Sequence, residues 1–250
     1  MRTGWDVKAL QRLIVTSATY RQSSAATPDL LPRDPENRLL ARGARFRLPA
    51  ETVRDNALAI SGLLVEQLGG RSVMPYQPDG IWSELAAARY VQDHGDNLYR
   101  RSLYIFYKRT ISPPSLMNFD SPTRESCIVQ RSSTNSPLQS LDLMNDVTFV
   151  EASRMLGQRM LKEGGDSPHQ RIRFAYRLAT SRWPTEREAK VLDASLEYFV
   201  DRFSNREDAA RKFLSMGESP RDPALDVKEL AAYTSIASLI LNLDNTISKE

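Results

Sequence analysis

The sequence holds a single cysteine, Cys127, and two histidines, His94 and His169. One thiol excludes an internal disulfide framework, a cysteine-based zinc site and covalent haem attachment through C-x-x-C-H. Two histidines leave little for His-rich metal chemistry. No stretch approaches the roughly 20 apolar residues of a membrane span. The opening residues, Met1 to Leu10, lack the apolar core of a signal peptide. An excess of one charge is missing too. Lys and Arg number 34 against 31 Asp and Glu, a net +3 spread along the chain. That balance is too even to argue for nucleic acid. G-x-S-x-G, P-loop, H-E-x-x-H and G-x-G-x-x-G signatures are absent, as are internal repeats and low-complexity tracts.

What is present is a chain of 250 residues, 41% apolar and 26% charged. That is the composition of a globular protein of one large or two small domains, long enough to bury a core. The pattern is helical at the start, where Leu10, Leu13 and Ile14 follow Asp6, a candidate N-cap. So abrupt an opening is expected of a domain truncated at its N-terminus. Ser23 to Pro35 reads as an exposed loop. Val53, Ala57, Ile60, Leu63, Leu64 and Leu68 form one stripe after Pro49, closed by Gly69-Gly70. Leu103 to Tyr107 reads as a short buried strand and Cys127 to Gln130 as a second.

The second half carries repeated start signals. Ser136-Pro137, Asp146, Ser167-Pro168, the Thr185/Glu188 capping box and Asp226 each precede an apolar stripe, and Asn205 is a further candidate cap. The expected fold is mainly α, with a helical bundle-like C-terminal half over about 137–245 and a small β element near 102–131.

Polar density peaks between Tyr99 and Asp146. Arg100, Arg101, Asp120, Arg124, Glu125, Arg131 and Asn135 are the candidate binding or network residues. Asp120 with Arg124, and Glu125 with Arg131, are expected to pair, and bidentate geometry would suit them. Converging on a cleft, the arginines would grip an anion or an acidic glycan, with a carboxylate as acid or base. Closed on themselves, they would form a buried ion-pair network that fixes loops, with Arg124 holding a buried carboxylate. The second reading is favoured, because structural networks also concentrate charge. Cys127 is expected as a small buried thiol. His169, in the first turn of a helix, is expected neutral and exposed. Tyr99, Tyr104, Phe106 and Tyr107 could stack on a sugar but read more simply as core.

Several runs carry a resemblance. They include Trp5-Asp6-Val7-Lys8-Ala9-Leu10, Pro75-Tyr76-Gln77-Pro78, Tyr99-Arg100-Arg101-Ser102-Leu103-Tyr104, Phe119-Asp120-Ser121-Pro122-Thr123-Arg124-Glu125 and Thr134-Asn135-Ser136-Pro137-Leu138-Gln139. Together they resemble the planctomycete-type DUF1553 (PSD1) domain, over nearly the whole chain. The resemblance implies one DUF1553-like domain over 1–250, from a larger exported or periplasmic protein. It implies DUF1549 and cytochrome c domains as partners, in the same or a neighbouring chain, or an extracellular polysaccharide. Haem would belong to the cytochrome domain, with no cofactor in this chain. The expected role is a non-catalytic interaction or structural module. The alternative is an enzyme or binding protein acting on an anionic or glycan substrate at 100–146.

Overall fold

The computed structural model describes residues 4–82 and 89–249, which form two compact units, Met1–Arg47 with Ser248–Glu250, and Leu48–Ile247. In the first unit, α1 (Val7–Thr16) is capped by Asp6, whose carboxylate accepts the Ala9 N–H at 2.9 Å. None of its residues is buried. The segment read as an exposed loop contains a short helix, α2 (Leu30–Arg33). Beyond it the buried Asp34 carboxylate accepts the N–H groups of Arg38 and Leu39, both at 2.8 Å. Strand β1 (Phe46–Arg47) pairs antiparallel with β2 (Ser248–Lys249).

The second unit is helical. Its elements are α3 (Ala50–Ser61), α4 (Pro114–Asn118), α5 (Pro137–Asn145), α6 (Val147–Glu163), α7 (Pro168–Thr180), α8 (Glu186–Ser204), α9 (Glu207–Leu214), α10 (Val227–Leu241) and α11 (Asp244–Ile247). Sequence chemistry explains their starts. Capping boxes form at Ser136/Gln139, Ser167/Gln170 and Thr185/Glu188, and Asp146 and Asp226 accept backbone N–H groups of the first turns they open. The core sits where α6 and α10 pack, with α8 and α3 against them. Leu230, Ala231, Ala232, Tyr233, Ile236, Ala237 and Ile240 are all buried, so α10 is covered over more than one stripe, with Glu229 and Leu239 left exposed.

Some expected elements differ. Helix α3 ends at Gly62, which takes φ +82°, well before Gly69-Gly70. The Leu63 N–H bonds the Leu58 carbonyl and the Gly62 N–H that of Ala59, a Schellman closure that turns the chain out of the helix. Leu103 to Tyr107 is not a strand. Ser102–Tyr104 coils into a 3-10 turn that leaves Leu103 70% exposed, and only Ile105 bridges, parallel to Val73. Cys127 to Gln130 is an exposed loop, with Val129 fully in solvent. The β element near 102–131 is therefore limited to isolated bridges. Asn205 caps the C-terminus of α8 rather than starting α9.

Candidate functional site

The predicted polar residues are held at separate points. Arg100 follows the 3-10 turn Gly95–Tyr99 and is only 2% exposed. Its guanidinium donates to the carbonyls of Arg71 at 3.0 Å, Gln67 at 3.1 Å and Gly69, and lies 4.1 Å over the Tyr104 ring. It closes the 67–71 loop onto the core rather than gripping an anion. Arg101 points the other way, half-exposed, with Nε 3.7 Å from Asp55 Oδ2. Asp55 Oδ1 accepts the Ser102 N–H at 2.7 Å. Arg101 and Asp55 help line a cavity of about 490 Å³ that also takes in Glu66, Asn56 and Leu68.

Asp120, at φ +61°, accepts from the Thr134 N–H at 2.9 Å and the Thr134 hydroxyl at 2.8 Å. The Gln139 amide donates to the carbonyls of Asn118 at 2.9 Å and Thr134 at 3.1 Å. These bonds staple the two ends of the 120–134 loop. Arg131 forms a bidentate pair with Glu51 of α3, at 2.7 and 3.1 Å. Burial pushes the Glu51 carboxyl up, but the hydrogen bond and charge of Arg131 outweigh it and hold it below its ordinary value. Arg124 is exposed at φ +65°, its guanidinium 4.4 Å over the Tyr107 ring. Glu125 and Asn135 are exposed.

The expected pairs Asp120–Arg124 and Glu125–Arg131 do not form: Asp120 bonds Thr134, Arg124 lies over Tyr107 and Arg131 pairs with Glu51. Residues three or four apart face each other on a helix; the chain from Asp120 to Ser136 is not helical, and left-handed turns at Asp120 and Arg124 redirect it. The expectation that Arg124 holds a buried carboxylate is corrected for the same reason. Cys127 is exposed, not buried, because it lies in that loop. His169 is exposed as expected, with Nδ1 2.9 Å from Asp193 Oδ2. Of the aromatic residues, Tyr99 is core, whereas Tyr104 and Tyr107 serve the loop contacts just described and Phe106 leans on Trp82.

A more deeply buried set of charges was missed. Arg54 of α3, 4% exposed, donates to the carbonyls of Arg100 at 2.9 Å and Leu98 at 2.6 Å. Glu151 of α6 is 0% exposed. Its Oε1 accepts from the Tyr99 hydroxyl at 3.0 Å, the Ser219 N–H at 2.5 Å and Arg154 Nη2 at 3.3 Å. Arg154 also donates to the Met216 carbonyl at 3.3 Å. Burial lowers the Arg154 pKa, against the pull of Glu151. Burial foremost pushes Tyr99 up to about 12, and it raises Tyr76 also, with the Glu151 charge adding to both. The Tyr76 hydroxyl accepts the Glu218 N–H at 2.8 Å. Glu151 and Arg154 clamp the 215–222 loop onto α6, and Tyr76 holds it at Glu218. Glu and Arg three residues apart in the helix that carries Phe149, Ala152 and Leu156 were the available signal. Chemically the arrangement is a polar clasp with its acid sealed from solvent, in which Glu151 Oε2 and Arg154 Nε find no hydrogen-bond partner among the described residues.

A family model described as PSD1, protein of unknown function (DUF1553), matches residues 1–196. No curated protein and no solved structure matches the chain.

Proposed function

The chain belongs to the PSD1 (DUF1553) family, and we propose that it is a non-catalytic interaction module of a larger exported protein, docking through α1 onto a neighbouring domain of the DUF1549 kind. The observation that carries this is the open apolar face of α1. Val7, Leu10, Leu13 and Ile14 are 63%, 56%, 68% and 50% exposed, on a well-capped helix with Lys8 and Arg12 on its other side. Exposed apolar patches of this kind favour association. The polar residues add support, since Arg100, Asp120 and Arg131 are engaged in separate closed contacts. Cytochrome c domains of the same assembly would carry any haem.

The enzyme reading keeps one observation, the cavity beside Arg101. It ranks second because Asp55 and Glu66 line that cavity and repel an anionic substrate. The test is titration calorimetry of the full chain against a purified DUF1549 domain. The wild type binds, and Leu10→Glu with Leu13→Glu abolishes binding while leaving the melting temperature unchanged. Equal binding by wild type and variant, or none by either, overturns the proposal.

A further inference from the structure

A cavity of about 860 Å³ in the second unit lies along α7 and the turn that follows it, outside the polar segment 99–146. Its volume falls within the roughly 300–1,000 Å³ of typical ligand sites. Its apolar walls are Phe174, Leu178 and Trp183. Leu178 is 37% and Trp183 50% exposed, so the apolar wall is open to solvent. Arg173 and Arg177, one helical turn apart on α7, both lie over the Trp183 ring, their guanidinium carbons 4.9 and 4.4 Å from its centroid.

The ring holds both cations in place by cation–π attraction, and a guanidinium's N–H fork suits a carboxylate. Among the described residues neither arginine has a carboxylate partner, and both are exposed. The one acid on the lining, Glu163, is already gripped by Arg159 through two bonds of 3.0 and 2.9 Å, and that contact lowers its pKa. Gln170 directs its oxygen to the N–H groups of Asp166 and Ser167, both at 3.1 Å, closing the start of α7. The cavity therefore presents two cations unpaired with any carboxylate above an apolar floor, Arg173 also bordering a second cavity lined by Glu186 and Asp193.

We propose that this groove binds an acidic peptide segment of a partner protein, one large apolar side chain entering between Phe174, Leu178 and Trp183 and flanking carboxylates meeting Arg173 and Arg177. Carboxylates one or two residues apart on an extended peptide are spaced by roughly 3–7 Å, a span the two guanidinium groups on one ring can serve. A sugar acid fits less well, because its several hydroxyls would face only Gln170 and Ser181 among uncharged polar side chains. The proposal rests on the reading of the chain as an interaction module and adds a second contact surface to it.

The experiment is binding of the full chain to a random Glu/Tyr copolymer, with polyglutamate and polygalacturonate as the other probes. The wild type binds the copolymer about tenfold or more tighter than polyglutamate. Arg173→Ser with Arg177→Ser, and separately Trp183→Ala, each weaken it by about tenfold or more, as truncation of one partner of a charged contact does. Both variants remain folded, their melting temperatures lowered only by the loss of exposed ring contacts. Failure of the wild type to bind the copolymer, equal binding by the variants, or tighter binding of polygalacturonate overturns the inference. Leu10→Glu with Leu13→Glu retains copolymer binding, so failure here and failure at α1 are read separately.

Discussion

Replacing Arg154 by methionine removes the guanidinium that faces the sealed Glu151 carboxylate. The two side chains are 2% and 0% exposed, with Nη2 3.3 Å from Oε1. The Tyr99 hydroxyl and Ser219 N–H remain as donors, but no guanidinium then faces the acid across that contact. Breaking such a buried pair from one side costs about 3–5 kcal/mol, because a charge is left without compensation. For a domain of this size that lowers the melting temperature by about 6–20 °C. The same reasoning makes the double variant Arg154→Met with Glu151→Gln milder than the single one, since the uncompensated charge is gone. Urea denaturation of the wild type, both single variants and the double variant measures the coupling, which should exceed about 1 kcal/mol. A single Arg154→Met variant within about 1 kcal/mol of wild type, or a cycle with no coupling, refutes the argument that this pair fastens the 215–222 loop.

Gly217→Ala should be far more destabilising than Gly62→Ala, though both glycines sit at φ +82°. A methyl group at 217 would lie 2.3 Å from Glu151 Cδ, against 3.5 Å from the flexible Arg159 Cδ at 62; chemical denaturation of the two variants ranks them. Arg100→Ala should cost several kcal/mol by removing its charge-assisted bonds to the carbonyls of the 67–71 loop, on the order of 1.5–3 kcal/mol each, whereas Arg124→Ala loses only an exposed ring contact of about 0.5–1 kcal/mol; equal thermal melts would contradict both placements. The Glu188 carboxyl is held well below its ordinary value, first by the Arg182 hydrogen bond, with the Thr185 N–H and the Tyr176 hydroxyl adding to it. A depressed folded pKa contributes stability above the unfolded value and loses it as pH falls. Glu188→Gln should therefore weaken the protein at pH 7 by about 1 kcal/mol, the screened worth of so exposed a pair. The difference should fade progressively as the pH is lowered through the acid range, and pH-dependent urea midpoints check it.

The helical half was legible because its start signals are local. Ser136, Asp146, Ser167, Thr185 and Asp226 each bond N–H groups two or three residues ahead, so a short window of sequence contains the whole interaction. The end of α3 was misplaced because the apolar stripe continues through Leu63, Leu64 and Val65 after Gly62 has turned the chain. Those residues still pack on the core, so periodicity alone does not register the break. The candidate site was legible only as a list of residue types. Arg131 finds Glu51 80 positions away, and Asp120 finds Thr134 across 14. Arg100 binds carbonyls, which leave no trace in side-chain identity. Nor do Arg173 and Arg177 stand out in a helix whose arginines are spread along its length, or Trp183 in the turn after it; only the fold puts both cations over one ring.

The central claim, docking through the open face of α1, is tested most directly by hydrogen exchange on the full chain with and without a purified DUF1549 domain. The account predicts slowed exchange of the amides between Val7 and Thr16 in the mixture, and no slowing for the variant with Leu10→Glu and Leu13→Glu. Unchanged exchange across α1 in a mixture where the two proteins demonstrably bind would contradict it.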